Sequence, residues 1–135
     1  MSEIKHICLC GSMSVLPRIL EIKSILELKG MIVETPSLDE PSDYSSLSEV
    51  DRAPIKNVMI RRHLERIKTS DAILVVNETA KGIENYIGAN SFLEMGIAFA
   101  LDKPILLLNS VPQQPNRDEL LGLNLRVLGG DLDLI

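Results

Sequence analysis

Three short segments of this chain are apolar at consecutive positions: Ile7-Cys8-Leu9-Cys10, Ala72-Ile73-Leu74-Val75-Val76 and Ile105-Leu106-Leu107-Leu108. A strand with one wet face alternates apolar and polar residues, so a strand apolar throughout has to be covered on both sides. Parallel sheets sandwiched between helices meet that demand. The intervening segments supply the helices. From Ser14 to Lys29, Leu16, Ile19, Leu20, Ile22 and Leu26 recur at helical spacing among Arg18, Glu21, Lys23 and Glu27, and Gly30 stands where a C-terminal cap belongs.

The remaining elements follow the same pattern. Ile4 to Cys10 reads as the first strand, ended by Gly11-Ser12, and Met31 to Thr35 as the second, closed by Pro36. Residues 36 to 52 are rich in Ser, Asp, Glu and Pro and read as a long loop or a lid. Ile55, Met59, Ile60, Leu64 and Ile67 form the stripe of a second helix ending at Thr69-Ser70, and Asp71 to Asn77 reads as a buried third strand. A loop from Glu78 to Ala89 leads to a helix over about Asn90 to Leu101, then a fourth strand from Ile105 to Asn109. A helical turn near Asp118 to Leu121 and a fifth strand at Arg126-Val127-Leu128 complete the chain.

This order predicts a single flavodoxin-like (Rossmann-like) α/β domain over residues 1–135, with a five-stranded parallel sheet and helices on both faces. One core suits 135 residues that are 45% hydrophobic. With 14 Lys+Arg against 19 Asp+Glu the formal net charge is −5, which argues against a groove that holds polymeric nucleic acid. The longest apolar runs fall short of the roughly 18–20 residues that cross a bilayer, and the N-terminus has no signal pattern, so a cytoplasmic protein without membrane contact is expected. Cys8 and Cys10 lie two apart in a strand, where a disulfide would be strained and a zinc site lacks its other ligands. They read as reduced core thiols, with no metal expected.

In such a sheet ligands bind at the carboxyl ends of the strands. That edge collects Gly11-Ser12-Met13-Ser14, Asn77 with the loop after it, and Asn109. The most informative residue is Glu94, the one charge in Phe92 to Leu101, a helix apolar on nearly every face and therefore expected to be buried. A carboxylate in the first turn of such a helix is a candidate nucleophile, stabilised by the helix N-terminus. The competing reading is a capping box, in which Ser91 caps the helix and Glu94 bonds back to it. The Gly11-Ser12 turn can hold a phosphate or sugar oxygen on backbone amides, while Ser14 also fits a plain N-cap. Tyr86 and Asn90 flank the same cleft. His63 stands at the margin of an apolar stripe, where histidines are usually structural, and Arg61, Arg62 and Arg66 read as a solvated face paired with Glu65.

Three segments carry a family resemblance: Ile7-Cys8-Leu9-Cys10-Gly11-Ser12, Ser70-Asp71-Ala72-Ile73-Leu74-Val75-Val76, and the run from Gly88 to Ile105 with its Glu-x-Gly helix followed by Lys-Pro-Ile. In these the chain resembles the nucleoside 2-deoxyribosyltransferase-like family, which includes the 2'-deoxynucleoside 5'-phosphate N-hydrolases. The resemblance implies a dimer or larger homo-oligomer that cleaves the N-glycosidic bond of a 2'-deoxynucleoside or its 5'-monophosphate and passes the sugar to another base or to water. It makes Glu94 the nucleophile and the Gly11-Ser12 turn the sugar- or phosphate-side loop, and it implies no metal or organic cofactor.

Two positions depart from the family pattern. An Asp often found eight residues before the third strand's leading Asp is here His63, and an Asp or Ser six residues before the nucleophile is here Gly88. Both groups bear on a departing base, which needs a proton or a hydrogen bond. His63 supplies one if it faces the cleft. The reading is therefore an N-glycosidase or transferase with Glu94 and His63 at its centre and Gly11, Ser12, Ser14, Asn77, Tyr86, Gly88 and Asn90 as ligand contacts. The alternative is a non-catalytic nucleotide-binding module of the same fold.

Overall fold

The computed structural model describes residues 3–36 and 41–135. Its five strands, β1 (His6–Cys10), β2 (Ile32–Glu34), β3 (Ala72–Val75), β4 (Ile105–Leu107) and β5 (Arg126–Val127), form one parallel sheet in the order β2-β1-β3-β4-β5. That is the expected flavodoxin-like order, with its switch point between β1 and β3. Strand β1 ends at Cys10 as read, whereas β3, β4 and β5 end one or more residues inside the spans read from the sequence, because apolar character continues past the last strand residue: Val76, Leu108 and Leu128 are buried but lie outside the strands.

Four helices connect the strands: α1 (Leu16–Leu28), α2 (Glu49–Thr69), α3 (Ala89–Ala100) and α4 (Arg117–Leu121). Helix α1 ends as predicted. Gly30 takes φ +88°, the Gly30 N–H donates to Glu27 and the Met31 N–H to Leu26, which is a Schellman cap. Its start differs, because a short 3-10 turn (Met13–Val15) precedes it and Ser14 caps nothing. Helix α2 begins six residues before the apolar stripe at Ile55. Ser48 accepts from the Asp51 N–H at 3.2 Å, and Glu49 and Asp51 put negative charge in the first turn, so a polar stretch read as loop is helical from Glu49 onward. A 3-10 turn at Tyr44–Ser46 occupies another part of that stretch, and its residues 37–40 lie outside the described residues.

The two sheet faces carry separate cores. Helix α1 covers Ile7, Leu9, Leu74, Val76, Leu106 and Leu108 with Ile19, Ile22 and Leu26. Helices α2 and α3 lie side by side over the other face, above Cys8, Cys10, Ile73, Val75, Ile105 and Leu107. Helix α3 is less buried than its composition suggests: Ser91, Met95 and Ala98 face inward, but Leu93 and Phe99 are exposed. Among the described residues no helix is long and apolar enough to cross a membrane.

Candidate functional site

At the carboxyl edge of the sheet, where Gly11 leaves β1 and Gly88 opens α3, the chain surrounds a cavity of about 890 Å³. Gly11 is closely packed there. A Cβ on it would meet the Ile19 Cδ1 at 3.0 Å and the Val15 Cγ2 at 3.2 Å, so any side chain there would push these neighbours back by a few tenths of an ångström. Ser12 and Ser14 follow on the wall with their hydroxyls 2.6 Å apart.

The polar centre lies where α2 and α3 meet over β1. His63 on α2 and Glu94 on α3 approach to 3.3 Å, Nε2 to Oε2, with only 6% and 17% of their side chains exposed. Beneath them, Cys8 and Cys10 point to the same side of β1, because residues two apart on a strand share a face. Their Sγ atoms lie 3.6 Å and 3.5 Å from the same His63 Nε2. The single histidine nitrogen thus faces two sulfurs and a carboxylate.

The electrostatics follow from this packing. The Cys10 thiol beside Cys8 favours the Cys8 thiolate; that bond, with His63, outweighs burial and draws the Cys8 pKa down to about 6. For the complementary reason Cys10 is held well above the ordinary thiol value, by its bond to Cys8 and then by burial. Burial pushes His63 down, yet its hydrogen bonds to Cys8 and Glu94 and their charges prevail and raise it to about 9. The packing thus favours the charged forms of Cys8 and His63 and the neutral thiol of Cys10.

This arrangement corrects two expectations for Glu94. Gly88 is the N-cap residue of α3, so Ser91 is the third residue of the helix and Glu94 the sixth. The capping box is absent, and Glu94 lies beyond the first turn, out of close reach of the free N–H groups. Its partner is His63 instead. His63 in turn is buried with a carboxylate and two thiols in reach, where the stripe alone suggested a structural residue.

Of the other expected contacts, Gly11, Ser12, Ser14, Tyr86, Gly88 and Asn90 line the cavity. Asn77 does not. Its side chain is fully buried, donates to the carbonyls of Asn109 (3.0 Å) and Ser110 (3.1 Å) and accepts from the Asn109 N–H, so its amide ties the ends of β3 and β4 together. Asn109 completes that tie by donating back to the Asn77 carbonyl.

Arg66 is the residue that sequence reasoning misplaced. Arg61 is on a solvated face, bonded to Asn57, and Glu65 pairs with Lys68. Arg66, one turn beyond His63, lines the cavity, and its Nη1 is buried with no hydrogen-bond partner among the described residues. The spacing Met59, His63, Arg66 was the available signal, since i, i+4 and i+7 share a helix face. Lys56 and Lys81 add two further cations to the wall.

No family model matches the chain, and no curated relative does. Solved structures do share its fold. A CMP N-glycosidase from Clostridium botulinum superposes with a TM-score of 0.59 at 18% identity, over 97% of this chain and 100% of that one. A 2-deoxyribosyltransferase from Bacillus psychrosaccharolyticus gives 0.56 at 19% identity over 76% of this chain and 70% of its own. The 2-desoxiribosyltransferase from Leishmania mexicana gives 0.53 at 19% identity, over 85% and 70%.

Proposed function

We propose that the chain belongs with the nucleoside 2-deoxyribosyltransferase-like enzymes and cleaves the N-glycosidic bond of a nucleoside or its 5'-monophosphate at this cavity. The observation that carries the reading is Glu94: a mostly buried carboxylate on the cavity wall at the ligand-binding edge of the sheet, held through Oε2 by His63. The shared fold with deoxyribosyltransferases and a CMP N-glycosidase supports the same chemistry.

In the first step a carboxylate oxygen of Glu94 attacks the anomeric carbon. The C–O bond to the carboxylate forms as the C–N bond breaks, and the electron pair leaves with the base, which takes up a proton from solvent. In the second, water or another base attacks the same carbon and gives up a proton to solvent, the C–O bond to Glu94 breaks and the carboxylate is restored. His63 acts first as a positioning residue, because fixing Oε2 selects one carboxylate orientation and leaves Oε1 for attack. Ser12 and Ser14 are placed to contact the sugar or phosphate. Arg66, with Lys56 and Lys81, gives an otherwise acidic protein a local anion preference, which favours the monophosphate.

The test is mass-resolved analysis of a panel of nucleosides, deoxynucleosides and their 5'-monophosphates, with and without an acceptor base. Base release that Glu94→Gln abolishes supports the reading, and a new nucleoside formed with acceptor present assigns transfer over hydrolysis. Binding of panel members without any release supports the non-catalytic module instead.

A further inference from the structure

The two thiols were expected to be inert because a pair of cysteines cannot by itself hold a metal. The fold supplies what the spacing lacks. Cys8 Sγ, Cys10 Sγ and a ring nitrogen of His63 all lie within 4.8 Å of one another, and each of the three residues is buried. Glu94 Oε2 stands 3.3 Å from His63 Nε2, the ring nitrogen that both sulfurs also face.

These separations have a specific meaning. Zinc binds thiolate at about 2.3 Å, imidazole nitrogen at about 2.0–2.1 Å and carboxylate oxygen at about 2.0–2.2 Å, so tetrahedral angles place sulfur about 3.6 Å from nitrogen and nitrogen about 3.4 Å from oxygen. The chain has 3.5 and 3.6 Å for the two sulfur–nitrogen edges and 3.3 Å for the nitrogen–oxygen edge. The two sulfur–nitrogen edges of one coordination tetrahedron are present, from β1 and α2; Glu94 approaches the same nitrogen but stands outside the cluster whose donor atoms all lie within 4.8 Å of one another.

We propose that Cys8, Cys10 and His63 supply three ligands of a tetrahedral site for a borderline-soft divalent cation of the zinc class, with the fourth position open to the cavity. The donor set fits that class: two sulfurs select against magnesium and calcium, and an imidazole nitrogen beside them suits zinc or cobalt. His63 and Glu94 line the cavity while the cysteines lie beneath them, so the ion enters from the cavity and seats against the strand. An ion there takes His63 Nε2 away from Glu94 and out of the proposed turnover, which makes the chelator-treated protein the form to assay for base release. The site itself stands independently of the glycosidase reading.

Anaerobic titration of reduced, chelator-treated protein with cobalt(II) tests it. The chain has 2 cysteines, so a thiolate-to-cobalt charge-transfer band can arise only from Cys8 and Cys10. The expected result is one cobalt per chain, that near-ultraviolet band, the visible absorption of four-coordinate cobalt, and bleaching of both by zinc. Cys10→Ser should halve the band, and His63→Asn should keep it while weakening affinity tenfold or more. Circular dichroism checks that each variant is folded. A reduced, folded parent with no charge-transfer band overturns the site outright, whatever the variants do. Unchanged cobalt affinity in folded His63→Asn overturns the assignment of that ligand.

Discussion

The two faces of the sheet are built from the same strands and do different things. Strand β1 sends Ile7 and Leu9 to the α1 side and Cys8 and Cys10 to the α2–α3 side. The first side is hydrocarbon throughout. The second holds two thiols, an imidazole and a carboxylate among its apolar residues, with a guanidinium nitrogen one turn away that has no hydrogen-bond partner among the described residues. Buried polar and charged groups cost free energy unless fully paired. The α1 side therefore carries stability, and the α2–α3 side draws on that stability to hold reactive groups in place.

Glu94→Gln breaks the comparison most sharply. The side chain keeps its shape and can still bond to His63, so folding should be nearly unchanged. Turnover should fall by about 10⁴-fold or more, the scale reached when an enzyme loses its nucleophile. Steady-state assay of base release beside thermal unfolding reads both. Retained turnover would remove Glu94 from the mechanism.

Leu9→Ala strikes the opposite face of the same strand. Leu9 is fully buried, and truncating such a residue costs about 2–5 kcal/mol, a large part of a typical domain's total. The expected outcome is a clear drop in the urea midpoint with KM and kcat preserved in the fraction still folded. A KM or kcat change at low denaturant would show that the two faces are coupled through β1.

Arg66→Met separates stability from function at a single residue. It removes a half-buried cation whose buried Nη1 has no hydrogen-bond partner among the described residues and leaves an apolar side chain of similar length. Stability should hold or rise. If Arg66 meets the substrate's phosphate, KM for the monophosphate should rise about 10- to 100-fold, the scale of a charge-assisted hydrogen bond, with little change for the unphosphorylated nucleoside. Equal loss for both substrates would place Arg66 away from the phosphate.

How legible each region was follows from what its residues depend on. Uninterrupted apolar runs specified the parallel sheet and its order, because every residue from Ile7 to Cys10 needs cover. The start of α2 was obscured by Ser48-Glu49-Val50-Asp51, whose helix signal is capping and charge without an apolar stripe. At the site, Glu94 was conspicuous as the one charge in an apolar helix. Its partner was not, because His63 and Cys10 are 53 residues apart and meet only when α2 crosses β1. Asn77 misled for a related reason: a polar residue at a strand end serves a ligand or a neighbouring strand equally well, and only the Asn109 and Ser110 carbonyls decide.

The smallest effect lies at the opposite end of β3, away from the cavity, and bounds the comparison. Asp71 is exposed, and its Oδ2 accepts the backbone N–H groups of Lys5 (2.9 Å) and His6 (3.0 Å), tying the entry of β1 to β3. These two bonds favour the ionised carboxyl and hold it below its ordinary value of 3.8. A group whose folded pKa is depressed contributes stability that is fully present above the unfolded value and is lost as pH falls through the folded one. Asp71→Asn keeps a neutral acceptor and loses only the charge. The variant should melt slightly lower than the parent above about pH 5, and the gap should close as the parent's carboxyl is protonated below about pH 4. Thermal unfolding of both proteins across that range measures it. A gap that is the same at every pH would mean the carboxylate's charge plays no part in joining the strands, and altered turnover at neutral pH would mean that this end of the sheet communicates with the cavity.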